Sequence, residues 1–509
     1  MYQPVRLNAN KVQTAQSVSL PASTQGWNVR ESIANMDPTY AYILDNWFPT
    51  TSDIQGRFGS VAHSTGMSGQ VNSVMTYRPQ AGAEQLFGAA GTYIYDCTAQ
   101  GAATVAVSGL TNSVWNYVNY STLGGAYLMA ANGVDDIQLY DGTSWQAVNG
   151  TSTPFAITGA PTNQLTAPNV HMNRIWFVQA NSQTCWYLPF NSIGGALTEF
   201  QLQGVFQKGG FGLADYAVFI TNQGEVAVYQ GTDPSGIDTW ELLGVYNISI
   251  PIGGARCYKK YGSDILINTS SGIVPGSQAF ASGRTTEKIA ITDVIQGAFF
   301  EAVQNYQTNF GWEFTQFPLG NMLVVNVPVG VGSQIQYVMN TQTGAWCSFS
   351  GWAVNAFAIH NDQLYGGTNG AINQYWTGVS DLGADIVSEW QPAWSYYGSR
   401  TQLKAFKLWR PVLEYDVPPN SIAVGFDIEY VSQVPVSTLT NLPTGTGAIW
   451  DIGIWDAAIW GGGQTFLVQW LTANGLPGWA VAPHMLVRNH VGTLHLESID
   501  VVYSPAGIL

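Results

Sequence analysis

The chain has 509 residues, 46% of them hydrophobic and 13% aromatic, enough apolar surface for a large core spread over two or three domains, which excludes a disordered chain. Only 10% of residues are charged, with 17 Lys+Arg against 32 Asp+Glu, a formal −15, and no Lys or Arg occurs between Arg78 and Arg174, Lys288 and Arg400, or Arg410 and Arg488. Grip on a phosphate backbone needs clustered cations, so a nucleic-acid clamp is excluded; acidity of this kind either keeps a Trp-rich surface soluble or lets a polyanion slide past without adhering.

Fifty-six Gly and 23 Pro punctuate short runs of Tyr, Trp, Phe, Val, Ile and Thr, the pattern of an all-β chain with many short strands. The opening MYQPVRLNANKVQTAQ lacks the apolar centre of a signal peptide, and no apolar run is long enough to cross a bilayer. The expectation is assembly in a cytoplasm with no membrane insertion. Next comes GWNVRESIANMDPTYAYILDNWFPTTSDIQGRFGS, from Gly26 to Ser60. It reads as a capped turn around Arg30 and Glu31, then a strand whose Trp47, Phe48 and Pro49 dock on the first unit of the repeat that follows, closed by Arg57 and Gly59.

From about residue 60 to 385 a loose strand-turn-strand repeat recurs. Its units begin with QLFGAAGTYIYDC (Gln85–Cys97) and AYLMAANGVDDIQLYDGTSW (Ala126–Trp145) and end with AFAIHNDQLYGGTNGAINQYW (Ala356–Trp376). Tight turns such as Asn132-Gly133, Gln223-Gly224 and Asn369-Gly370 suit the φ > 0 positions of hairpins, and alternation on either side places one face inward. About seven such units, each too small to bury its own face, predict blades stacked round an axis, a β-propeller. Thr285–Tyr306 breaks the pattern with apolar residues at helical spacing after a Thr/Glu start, which predicts one or two short helices inserted between blades.

After about residue 385 the texture changes. Arg400, Lys404, Lys407 and Arg410 read as the only basic cluster in the chain, and alternating strands follow to the C-terminus, the pattern of a β-sandwich. The predicted organisation is therefore an N-terminal arm and platform segment over 1–60, a β-propeller over 61–385, and a β-sandwich-like platform domain over 386–509 to which the N-terminal arm contributes. Within it Ile-Trp recurs at Trp450, Trp455 and Trp460. Exposed apolar repeats of this kind mark interfaces, so these tryptophans are candidate contacts to a neighbouring subunit, as is the basic cluster to a subunit or adaptor.

No motif carries catalysis. Four cysteines (Cys97, Cys185, Cys257, Cys347) lie far apart without metal spacing and read as buried apolar residues in a reducing compartment. The six histidines are scattered; His484 and His490 share the terminal hairpin with no acidic metal partner between them. Asp135, Asp136 and Asp141 form the densest carboxylate group, which glycoside hydrolysis would use, but Asp also favours turns, and they flank one. The expectation is no enzyme, no cofactor and no metal.

The Gly26–Ser60 stretch, with its Asn28-x-Arg30-Glu31 start and its Asp45-Asn46-Trp47-Phe48-Pro49 core, resembles an opening common in tailed-phage virion proteins. The order of propeller, helical insert, basic segment and closing HVGTLHLESIDVVY is similar to that of tail nozzle (tail hub) proteins of short-tailed bacteriophages, in which a propeller is flanked by a platform built from both terminal segments. The resemblance implies a homohexamer below an adaptor (head-to-tail connector) ring, with tail fibres or spikes outside. Genomic DNA would pass through an acidic channel without specific binding; six copies carry about −90 formal charges. The competing reading is a receptor- or glycan-binding propeller, an adhesin or depolymerase; a capsid decoration protein is a third.

Overall fold

The computed structural model describes residues 15–202, 207–213, 216–236, 238–282, 289–439, 442–443, 465–472 and 477–508. The chain divides into two compact units: one from residues 58–382, the other from the segments on either side of it.

The larger unit is a β-propeller in which the described residues form seven consecutive blades, the first and last sharing one strand. Their first strands are residues 71–77 of Ser60–Tyr77, then Asn116–Thr122, Leu165–His171, Gln207–Leu213, Tyr258–Tyr261, Glu313–Phe317 and Ala356–His360. Successive first strands adjoin round a ring, with the Gly254–Arg256 turn standing between the fourth and fifth, and the seventh returns to the first. Among the described residues, six blades have four strands and the fifth has three. The last blade borrows its outer strand from the start of the unit: Ser60–Tyr77 pairs through residues 60–70 with Asn369–Tyr375 and through residues 71–77 with Gln85–Ala90.

Strand burial differs from the sequence expectation of one inward face. In Gly125–Ala131, Met129 and Ala131 pack toward the third blade while Leu128 and Ala130 pack toward the first. Alternation therefore distributes side chains between two inter-blade cores, and a middle strand reads as a continuous apolar run because both of its faces are covered. The Asn-Gly turns also differ from expectation, since Gly133 and Gly370 take φ of 80° and 74° while their asparagines do not. Asn132 instead accepts the Val134 and Asp135 amides through its side chain, making a longer loop.

The helical insert is shorter at its front than the spacing predicted. Helix α1, Gly276–Ser282, follows the third strand of the fifth blade, and helix α2 is Gln296–Tyr306. Residues 285–288 of the predicted segment lie outside the described residues. Ile291 is not helical: its amide donates to the Ile273 carbonyl and its carbonyl accepts from the Trp346 indole, so tertiary hydrogen bonds overrode helical periodicity there. Phe299, Ala302 and Val303 form the buried face of α2.

The second unit joins both ends of the chain. In one sheet Gln402–Tyr415 and Leu494–Ile508 are the long central pair; Gln16–Pro21 and Ile54–Gly56 add to Leu494–Ile508. In the other, Tyr40–Asp45, Ile386–Pro392, Val481–Asn489 and Ser421–Ile428 pair in that order. Phe406 and Trp409 of the first sheet meet Phe426 of the second at ring separations of 5.4 and 5.7 Å. This is a β-sandwich-like platform with an aromatic core between its sheets. Trp47–Pro49 pairs with Ile54–Gly56 inside this unit, a hairpin whose turn is closed by Thr50 and Asp53.

Candidate functional site

At the propeller axis one arginine ties the ring together. Gly253 and Gly254, at φ 101° and 62°, turn the chain so that Arg256 projects inward; a Cβ on Gly253 would meet the Trp312 carbonyl oxygen at 2.7 Å, so only glycine fits. Arg256 donates to the Asn72 carbonyl (2.8 Å) and Ser73 Oγ (2.8 Å) of the first blade and to the Trp115 carbonyl (3.2 Å) at the second. It pairs with Glu313 of the sixth blade at 3.3 Å, and Glu313 accepts the Phe357 amide of the seventh. The first, second, sixth and seventh blades are thus connected through one ion pair.

Beside this tie lies an axial cavity of about 430 Å³. Its described lining holds four cations, Arg78, Arg256, Lys259 and Lys260, and one carboxylate, Glu313. Arg78 is paired with Glu84 at 3.1 Å. Lys259 and Lys260 have no carboxylate partner among the described residues. Desolvation by the surrounding ring pushes the Lys259 ammonium below the usual lysine range; Glu313 opposes that shift, and Arg256 and Arg78 reinforce it. Tyr258, whose hydroxyl accepts from Asn169 Nδ2 at 2.5 Å, is held protonated far above the ordinary phenol range by burial. Sequence reading missed this cluster and took 400–410 as the only basic one; the signal was present in the ARCYKKY run at 255–261.

The 400–410 segment is mostly engaged within the platform. Lys404 is buried, and its ammonium donates to the Ser399, Gln402 and Trp479 carbonyls; desolvation pushes its pKa down, Glu429 opposing. As a buried side chain it presents no charge to a partner, which corrects its place among the candidate contacts. Arg400 donates to Asn35 at 2.6 Å and lies over the Tyr396 ring. Arg410 pairs with Asp500 and covers Trp470. Lys407 remains exposed because it is the extra residue of a bulge between the Phe406–Tyr503 and Leu408–Val502 pairs. Trp450, Trp455 and Trp460 lie outside the described residues.

The N-terminal motif forms a joint that is buried over Asn46, Trp47, Phe48 and Pro49 and exposed at Arg30 and Glu31. Asn28 Oδ1 accepts the Arg30 and Glu31 amides at 3.0 and 3.1 Å, capping that turn. Asn46, buried at φ 58°, donates to the Val387 carbonyl at 2.8 Å and accepts Arg57 Nε at 2.6 Å. Its carbonyl takes Ser388 Oγ and the Arg57 amide, and its amide group also lies 3.4 Å from Asp45. Trp47, Phe48 and Pro49 are all buried.

Asp427, His484 and Glu389 form a triad in the platform, with Asp427 and His484 buried and Glu389 partly exposed. His484 contacts Asp427 at 2.8 Å and Glu389 at 2.9 Å. Burial by itself would lower its pKa, but the two carboxylates overcome that and raise it to about 9, so the ring is an imidazolium at neutral pH. His490 pairs with Asp385 and His495 with Asp53. Among the described residues no group of three or more His, Cys, Asp or Glu is placed to hold a metal.

Asp135, Asp136 and Asp141 do not converge. Asp135 holds Thr111 and Asn132, Asp136 holds Asn149 and Thr162, and Asp141 caps the Thr143 and Ser144 amides. The four cysteines are free and buried; desolvation pushes the Cys97 thiol up to about 12.

No protein-family model and no curated protein sequence matches the chain. Among solved structures, the β-propeller domain of Myceliophteria thermophila Cps50 (Swd1) is 14% identical, covering 62% of this chain and 99% of that one at a TM-score of 0.41. The WD40 β-propeller domain of Doa1 is 10% identical, with coverages of 62% and 96% and a TM-score of 0.40. The computationally designed Ika8 protein is 12% identical, with coverages of 65% and 96% and a TM-score of 0.37. The seven-bladed strand order stands independently of these similarities.

Proposed function

We propose that the chain is a structural component of a phage virion tail, the subunit of a hexameric nozzle below an adaptor ring, with an acidic channel for genome ejection. The observation that supports this reading is the joint at Asn46. Within the stretch that carries the resemblance, Asn46 joins the N-terminal segment to Val387 and Ser388 of the Ile386–Pro392 strand, and Arg57 braces Asn46. A platform made from both terminal segments, with a propeller inserted between them in the chain, is the arrangement the resemblance implies.

The placement of cations supports a conduit that does not hold DNA. Among the described residues Arg57 and Lys404 are buried, and Arg174, Arg256 and Arg410 are paired with carboxylates, so few positive charges remain to collect phosphates. In this reading DNA passes along the axis of the six-copy assembly. The basic cavity of a single propeller is a separate space.

The alternative, a receptor- or glycan-binding propeller, draws on the polar axial cavity. Electron microscopy of the purified protein in negative stain separates the two. The tail reading expects six-fold rings with a central opening and no shortening of host polysaccharide; trimers or monomers that depolymerise it would overturn that reading.

A further inference from the structure

We propose that the axial cavity of the propeller binds a small anion bearing a phosphate or carboxylate group, with Lys259 as its principal contact and Lys260 and Arg78 as flanking cations. This goes beyond the tail reading and does not depend on it. A volume of about 430 Å³ is in the range of small-molecule sites and far above that of a single water.

Charge distribution identifies the ligand class. Of the four cations lining the cavity, Arg256 is saturated by Glu313 and by acceptors in the first two blades, and Arg78 has Glu84. Lys259 and Lys260 face the cavity with no carboxylate of their own among the described residues. In a chain with nearly twice as many acidic as basic residues, two such ammonium groups, both open to solvent, gathered at one cavity make it a local concentration of positive charge. The like charges of Arg256 and Arg78 disfavour the Lys259 ammonium, and an anion bound beside it would offset them.

Amide and phenol groups complete the lining. Asn116, Asn119, Asn169, Tyr117 and Tyr258 surround the lysines, with Asn169 oriented by Tyr258. Such groups suit the hydroxyls or remaining oxygens of a compact oxyacid, with charge-assisted bonds from the lysines supplying most of the attraction.

The test is isothermal titration of the full chain with inorganic phosphate, with glucuronate and with glucose as the uncharged control. Wild type and Arg488→Gln should bind one or both anions with one-to-one stoichiometry, weakening as salt rises, and Lys259→Met should lose about tenfold or more in affinity. Binding of phosphate alone identifies a phosphoryl ligand, and binding of glucuronate an acidic sugar; either supports the proposal. The proposal is overturned if neither anion binds, if glucose binds as tightly as glucuronate, or if Lys259→Met matches wild type. Should Lys259→Met fail to fold, acetylation of wild-type Lys259 by acetic anhydride, followed by peptide mass, gives a second reading. Saturating anion should protect the lysine, and equal labelling with and without anion overturns the site.

Discussion

His484 lies between two carboxylates that come from strands 57 and 95 residues away in the chain, and its charge state follows from that sandwiching. Its pKa in the folded chain is about 9, above the ordinary value near 6.5. The sign follows from linkage: a raised folded pKa stabilises the protein below the unfolded value, and that stability is lost as pH climbs through the folded one. Calorimetry should therefore find the platform transition falling between about pH 6.5 and 9, by on the order of 2–3 kcal/mol, and His484→Gln should flatten that decline. A slope unchanged in the variant would assign it to other groups. In sequence His484 looked unpaired, because partners contributed by neighbouring strands leave no local spacing to read. Arg256 escaped notice for the same reason, as its acceptors belong to other blades. The turn role of Asp141, in contrast, was legible because both of its partners, Thr143 and Ser144, follow within three residues, whereas Asp136 holds Asn149 and Thr162 from farther along the chain.

At the scale of elements, the propeller is closed by a clasp at its two ends. Gly59 and Gly378 exchange backbone contacts with each other's neighbourhood, and Ser60 donates to the Ser380 carbonyl while accepting the Leu382 amide. Phe58 packs edge-on against Trp376 at 5.0 Å. A Cβ on Gly59 would lie 1.9 Å from the Ser380 carbonyl oxygen, an overlap that only backbone movement relieves. Gly59→Ala should thus cost about 3 kcal/mol, seen as an earlier urea midpoint for the propeller transition; an unchanged midpoint would mean that the clasp does not limit its stability. The strands themselves were legible as apolar runs between turns. That Ser60–Tyr77 serves two blades was not, because an 18-residue strand carries no mark of where its partner changes. The bulge that exposes Lys407 was equally silent, being a property of strand pairing.

At the scale of the whole molecule, an insertion topology follows from the pairing. The platform takes Gln16–Pro21 and Tyr40–Asp45 from before the propeller and Ile386–Pro392 and Leu494–Ile508 from after it. The propeller closes its ring with residues 60–77 of its own. Expressed by itself, 58–382 should fold with β-rich circular dichroism and a cooperative melt, whereas 383–509 should not, since it lacks the strands that cover its sheet edges. Independent folding of 383–509 would contradict this account of the platform.

The all-β class, a repeat of about seven units and a change of texture near residue 385 were determined by the sequence alone, since hydrophobic runs and turn residues are local signals. The N-terminal motif could likewise be recognised, but its location within the platform could not. Only the tertiary structure decided which strands pair across the chain, which lysines are buried, and where the few cations gather. Each of these depends on groups brought together from distant blades or from opposite chain ends, and burial and charge acquire their energies from those neighbours.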